Sequence, residues 1–409
     1  MKKTFLNTAR LLVGILFIFS GLIKANDPLG LSYKMQEFFE VWNMPALDAY
    51  TLAFSIIMIV FEILAGVAVL LGWRMRLFAW LLLSLIIFFS FLTGYAVISG
   101  KIRECGCFGN CIPLQAMGSF MKDLFLLLLI VILFIYRNEI KPSLTSNASR
   151  LLLALTLVLS FSIQWYALRY LPLIDCLPFK KGANIFEKMK APAGAIPDST
   201  VINFVYEKNH KTMEYTADQL PADLDSSYIF IKRYDKLIRK GNAEPEIKDF
   251  SLIAESGTDS TLQTLGMPGY QLMLISRNFP KTNPQWNKVF ILLYTLARSK
   301  NIPVIVVTSN RPEADAWLKA NNLVFEGGGF TSDGNPSSGI LYDNKFGKGI
   351  PVFGCDATAV KTAARADPTL YLLKKGTILG KWSYANLDIA IPAVAELPLQ
   401  KSESLASHD

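Results

Sequence analysis

Histidine is almost missing: the 409 residues hold two. His210 lies between two strand-like runs and His408 lies next to the last residue. That scarcity argues against Ser-His-Asp or Cys-His catalysis and against His-rich metal sites. Charge is thin as well, at 18% of residues, and no basic stripe with interleaved aromatics occurs, so nucleic acid is set aside. Cysteine is limited to five residues, and no pair of them has Cys-x-x-Cys spacing. A conventional dithiol motif of the thioredoxin kind is therefore absent.

What the chain has in excess is apolar length. Hydrophobic residues make up 52%, the mean hydropathy is +0.33, and most of the surplus precedes Pro172. Five stretches approach the ~20 residues needed to cross a bilayer: Ala9–Ile23, Thr51–Leu71, Phe78–Ile98, Phe120–Tyr136 and Leu151–Leu171. Between the first two, Asp27-Pro28 breaks the helix, and Leu31–Trp42 has the apolar spacing of an interfacial helix. Residues 1–172 carry 14 basic and 8 acidic residues, so most of the net charge of +8 flanks the spans. Lys2, Lys3 and Arg10, then Arg74 and Arg76, then Arg137, Lys141 and Arg150 fall on one side. The positive-inside rule makes that side cytoplasmic. An inner-membrane protein with its N-terminus inside and everything after Pro172 outside, in the periplasm of a diderm cell, is expected.

The five cysteines, Cys105, Cys107, Cys111, Cys176 and Cys355, then all lie on the outer side. Three of them share the run Arg103-Glu104-Cys105-Gly106-Cys107-Phe108-Gly109-Asn110-Cys111-Ile112-Pro113, between spans three and four. Bare loop backbone is not tolerated in lipid, so this loop sits at a membrane surface. Three readings fit the thiols. A Cys-x-Cys disulfide closes a small, labile ring suited to redox exchange. A Cys107–Cys111 or Cys111–Cys176 bridge would only staple the loop. Cys-x-Cys-x3-Cys could ligate a soft metal, against which the tight spacing and missing histidine weigh. An odd count leaves at least one cysteine outside any internal pairing. Glu62 stands inside span two, where an ionisable group serves either packing or proton handling and quinone contact.

The run Phe19-Ser20-Gly21-Leu22-Ile23-Lys24 with Asp27-Pro28, Glu62 with Gly66, and Glu104-Cys105-Gly106-Cys107-Phe108-Gly109 resemble the DoxX/MauE family of small membrane proteins over roughly residues 5–140. The resemblance implies a four-helix bundle, here extended by a fifth span and an outer region as in the longer DoxX-type proteins of Bacteroidetes. The MauE branch is linked to disulfide formation in periplasmic methylamine dehydrogenase. This implies redox use of the loop, with Cys105 and Cys107 as the exchanging pair and Cys111 and Cys176 as resolving or relay thiols. Glu62 would manage a proton, and a quinone is the candidate cofactor.

Beyond the bundle (1–140, cysteine loop 100–118) and a link with the fifth span (141–172), residues 173–199 read as a linker and 200–265 as a small β unit. Residues 266–392 alternate strand and helix, and 393–409 form a tail. Tyr270–Ser276 and Pro303–Thr308 read as buried strands, Asn283–Lys300 and Glu313–Asn321 as helices, and Asp356 as an N-cap. Pro368 then leads a hairpin over Leu370–Lys374 and Ile378–Ser383. The order resembles the thioredoxin-like family, with Pro368 at the position of its cis-proline. The segment that would carry the dithiol, Ser276-Arg277-Asn278-Phe279-Pro280-Lys281-Thr282-Asn283, has no cysteine. The domain is thus expected to bind a partner along Asp367, Pro368 and Thr369, with Cys355 buried and inert.

The expected protein is multi-domain: an α-helical membrane bundle followed by a periplasmic α/β thioredoxin-like domain with a small β unit. Its expected work is thiol–disulfide exchange on periplasmic or exported proteins. The alternative is a non-catalytic anchoring or scaffolding subunit of an envelope complex. Either form would contact membrane lipid.

Overall fold

The structure, a computed structural model, describes residues 2–102, 106, 109–112, 114–196, 199–208, 211–221, 224–225, 227–239, 241, 243–279, 285–321, 323 and 350–400. Cys105, Cys107, His210 and His408 lie outside the described residues, as do Arg103 and Glu104.

Five helices are long and apolar enough to cross a membrane. They are α1 (Lys2–Asn26), α3 (Thr51–Leu71), α4 (Met75–Ser99), α5 (Ala116–Ile135) and α6 (Ser146–Tyr170); α2 (Pro28–Val41) is shorter and packs on α3. The break after α1 has a local cause. Pro28 occupies the first turn of α2, and the Asp27 carboxylate caps it by accepting from Gly30 N at 3.0 Å. Helices α1 and α3 meet closely where glycines face each other. A Cβ on Gly66 would stand 2.8 Å from Gly14 O, so a larger residue there pushes the pair apart. Below this contact Val13, Phe17, Ala65, Val69, Leu82, Ile130 and Leu133 fill the bundle core.

The bundle has two unlike ends. At one, Lys2 pairs with Glu139 at 2.9 Å, Arg76 donates to Asn138 Oδ1 at 2.7 Å, and Arg10 donates to Ser143 Oγ at 3.2 Å. The basic residues read as one-sided from sequence therefore do gather at one end. At the other end lie α2, Gly106 and residues 109–112 of the cysteine loop, and the region after α6.

That region holds two sheets. Helix α7 (Ile185–Met189) precedes a three-stranded antiparallel sheet of β1 (Ser199–Lys208), β2 (Lys211–Thr216) and β3 (Ile229–Arg239), in order β2-β1-β3. Helix α8 (Thr261–Leu265) leads into a five-stranded mixed sheet. Its strands are β4 (Tyr270–Ser276), β5 (Val304–Thr308), β6 (Val352–Gly354), β7 (Thr369–Lys374) and β8 (Thr377–Ser383), in order β6-β5-β4-β7-β8. The β4–β5 and β5–β6 pairs are parallel; β4–β7 and β7–β8 are antiparallel. Helices α9 (Gln285–Ser299), α10 (Arg311–Ala320) and α12 (Ala390–Ala395) cover one face, through Trp286, Phe290, Trp317 and Val394. Helix α11 (Ala357–Ala363) covers the other, capped by Asp356, which accepts from Thr358 N at 2.7 Å. Phe179 and Ile185, before the small sheet, and Ile247, Phe250, Leu252 and Leu265, after it, complete this second core. The three-stranded sheet is thus an excursion between two segments of one packed domain.

Candidate functional site

Span four begins earlier than its hydropathy suggests. With α5 starting at Ala116, Asp123 sits two turns inside the helix and is fully buried. Glu62, singled out from sequence as an ionisable group inside a span, is therefore joined by a second buried carboxylate, Asp123. Each has its own cation. Lys24 Nζ donates to Glu62 Oε1 at 2.5 Å, and both side chains are almost wholly buried. Lys122 Nζ lies 2.9 Å from Asp123 Oδ1, and Thr93 Oγ1 donates to Asp123 Oδ2 at 3.0 Å. Burial of single charges in a bundle is costly, so pairing is what allows both carboxylates to stay there.

The two pairs share a small cavity of about 20 Å³, lined by Ser20, Lys24, Glu62, Phe89, Lys122 and Asp123. On its other side Lys24 also lines a much larger apolar cavity of about 360 Å³ between α2, α3 and α4. Phe38, Phe39 and Trp42 form one wall, Phe54, Met58 and Phe61 a second, and Phe88, Phe89 and Leu92 a third. Thr93, the hydroxyl bound to Asp123, reaches the same cavity. So does Gly106, the residue between Cys105 and Cys107 in the chain. Gly106 has φ +67°, and a Cβ there would meet Lys34 Cγ at 3.0 Å, so the loop backbone lies directly on α2.

The remaining loop cysteine is tied down. Cys111 forms a disulfide with Cys176, 65 residues on and just past α6. Beside it, Asn110 Nδ2 donates to Asp27 Oδ2 at 2.8 Å, and Arg365 Nε donates to the same oxygen at 3.1 Å. One carboxylate therefore caps α2, holds the cysteine loop and binds the sheet domain. Nearby, the Tyr33 ring of α2 is met by Arg365, Lys361 and Arg277, whose charged groups stand 5.0, 5.4 and 5.7 Å from its centroid. Arg277 Nη1 also donates to Tyr33 Oη at 2.6 Å. Burial raises the Tyr33 phenol, with the two arginines pulling the other way.

The residues expected to bind a partner lie against this seam. The Asp367–Pro368 peptide is cis. Asp367 accepts from Ser276 Oγ at 2.7 Å and Arg277 N at 2.9 Å, and it pairs with the Arg277 guanidinium at 3.3 Å. Thr369 is fully buried in β7. Cys355 is half-buried, and burial pushes its thiol up to about 11. Sequence reading missed Asp123, Lys122, Tyr33 and Arg365, and took Lys24 only as part of the Phe19–Lys24 run, with no role of its own. Two signals were present: an adjacent Lys-Asp pair inside an apolar stretch, and a lysine one helical turn after Ser20.

Comparison with known proteins agrees with the bundle. Residues 2–136 match the family model described as Methylamine utilisation protein MauE, and residues 200–240, the three-stranded sheet, match a domain of unknown function (DUF8463). No curated protein and no solved structure matches the chain. The MauE match runs from α1 to the end of α5 and takes in Glu62, the cysteine loop and both buried ion pairs; the membrane bundle of this protein belongs to the DoxX/MauE-like membrane family.

Proposed function

We propose that this protein carries out thiol–disulfide exchange on exported proteins, with Cys105 and Cys107 as the exchanging pair. The observation that carries the reading is the position of Gly106, between those two residues in sequence, in the lining of a large cavity that Lys24 also lines. A thiol pair needs a nearby place to deliver electrons and protons, and the Lys24 ammonium, paired with the buried Glu62, stands at this cavity. Glu62 then holds or releases the proton at Lys24. The match of residues 2–136 to the family described as Methylamine utilisation protein MauE supports the same reading, through the link of that branch to disulfide formation.

In this reading the basic end of the bundle is cytoplasmic and the sheet domain lies in the periplasm of a bacterial cell. The sheet domain is thioredoxin-like, from its strand order and its proline before β7, and it presents substrate rather than oxidising it. The Cys111–Cys176 disulfide keeps the loop in register with that domain. Trapping of thiols in acid, followed by maleimide labelling and peptide mass spectrometry, tests the proposal. Cys105 and Cys107 are expected as a reducible mixture or in mixed disulfides with exported proteins. A single reductant-resistant pairing sinks it.

A second reading, an anchoring subunit of an envelope complex, has its own support. Strand β3 exposes Ile229, Phe230, Ile231 and Ile238 on one small sheet, which suits protein contact. Under that reading a Cys105→Ser, Cys107→Ser protein keeps its partners and its phenotype.

A further inference from the structure

We infer that strand β3 pairs with its counterpart in a second copy of this chain, joining two three-stranded sheets into one continuous antiparallel sheet. The small sheet has little else to lean on. Among the described residues, neither core of the sheet domain takes in a side chain from it. Three strands with so little to pack against are marginal by themselves. Strand β3, at 11 residues, is the longest of the three and lies on the outside of the order β2-β1-β3. Its Ile229, Phe230, Ile231 and Ile238 are 46–64% exposed. A long outer strand with exposed apolar side chains is a template for another strand.

The sequence of β3 selects the occupant. Residues 230–238 read Phe-Ile-Lys-Arg-Tyr-Asp-Lys-Leu-Ile. From either end the run gives two apolar residues, a lysine, a charged residue and then the central Tyr234. The two directions differ in charge only at Arg233 and Asp235, and there the charges are opposite. An antiparallel pairing with its two-fold axis at Tyr234 therefore sets Arg233 against the partner's Asp235, and Asp235 against the partner's Arg233. Opposite charges directly across a ladder stabilise it, and like charges oppose it. A slip of two residues one way sets Arg233 against its own counterpart. A slip the other way does the same to Asp235. Charge thus fixes the register.

The local geometry fits this axis. Arg233 and Asp235 lie opposite Phe204 and Ile202 of β1, so they share a face, and they stand 3.6 Å apart with both side chains half exposed. Bulges in the β1–β3 ladder, between Ser199 and Thr200 and between Val205 and Tyr206, leave residues 232–237 as the regular stretch. Bulges and lysines blunt an edge strand, so pairing is confined to the short segment around Tyr234. One contact opposes it, because Lys232 meets the partner's Lys236. Glu214 offsets that repulsion from the same face of the sheet. Its carboxyl accepts from Tyr234 Oη and is held below its usual range, first by that bond and further by Lys236 and Lys232.

The test follows the mass of the full-length protein in detergent, by light scattering during size exclusion over a range of concentrations. A dimer is expected. Arg233→Asp and Asp235→Arg each put like charges across the axis, and each is expected to weaken the dimer at least about tenfold. Mixed in equal amounts, the two single variants should recover it, since each offers the charge that the other lacks. The double variant Arg233→Asp, Asp235→Arg should recover it too. Either recovery also shows that the substituted chains fold. Wild-type protein that stays monomeric overturns the inference. So does a dimer untouched by either single variant, a mixture that associates no better than its components, or a different protein held at β3. The thiol reading is tested separately, by trapping, and neither result decides the other.

Discussion

Both halves of the molecule bury ion pairs, but they aim them differently. In the bundle, Lys24–Glu62 and Lys122–Asp123 border internal cavities. In the sheet domain, Arg365, Arg277 and Lys381 point outward at the bundle side: to Asp27, to Tyr33 and, at 2.7 Å, to Asp175 just after α6. The thiols divide along the same line. In the bundle's loop Cys111 is held in a disulfide with Cys176, whereas the sheet domain's Cys355 is free and packed against its core. Charge in the first half lines internal space, and in the second it faces the seam between the halves.

The sharpest way to break this contrast is to remove one partner of a bundle pair. Glu62→Ala leaves the Lys24 ammonium buried without its carboxylate, and a loss of about 3–5 kcal/mol is expected in denaturant unfolding. The double change Glu62→Leu with Lys24→Met should recover most of it, because it removes the charge as well. If the single and double variants unfold alike, the pair is not what holds these residues in place. The seam is tested next. Cys111→Ser opens a covalent loop closed across 65 residues, and chain entropy puts that at about 4 kcal/mol. The sheet domain should then become more open to protease near residues 173–176 while the bundle persists. An unchanged digestion pattern would mean that the Asp27–Arg365 contact suffices.

The pH behaviour of Cys355 sharpens the division of the thiols. Its folded value, about 11, is above the ordinary thiol value, so the neutral form persists through the mildly alkaline range in the folded protein. At pH 8 its native-state alkylation should be roughly a hundredfold slower than in the unfolded chain, from the lower thiolate fraction. The sign for stability follows: the native state holds this proton more tightly, so its contribution is complete below the unfolded value and fades as pH rises toward 11. Fast alkylation of native protein at pH 8 would return Cys355 to the list of reactive thiols.

Much of the architecture was legible because it is written in periodicity and length. All five spans were legible from hydropathy, and the Asp27-Pro28 break and the Asp356 cap from local rules. Their first residues were not: the stretches read from Ala9, Phe120 and Leu151 begin seven, four and five residues inside α1, α5 and α6, and in α5 the late start puts Asp123 at the span's edge. That shift hid the second buried carboxylate. The linker reading of residues 173–199 had a similar origin. Phe179 and Ile185 stand alone among lysines, prolines and glycines, and nothing periodic announces that they fill the second core. The seam was least legible of all. Tyr33 stands more than 240 positions from both Arg277 and Arg365, and their meeting depends on the whole fold.

That seam gives the smallest effect and the finest test. Tyr33→Phe removes the hydroxyl that accepts from Arg277 but keeps the ring beneath three cations. A cost near 1 kcal/mol is expected, as for one hydrogen bond exchanged with water. Tyr33→Leu removes the ring too, and each cation–π contact at a half-buried site adds about 0.5–1 kcal/mol. Arg365 and Arg277 keep their carboxylate partners in both variants, so neither should unfold the sheet domain. Hydrogen exchange at α2 and at residues 361–367 reads the difference. If Leu costs no more than Phe, the three cations are held by their own ion pairs and the ring is filler. If Leu alone loosens both segments, the ring is the surface on which the two halves of the molecule recognise each other.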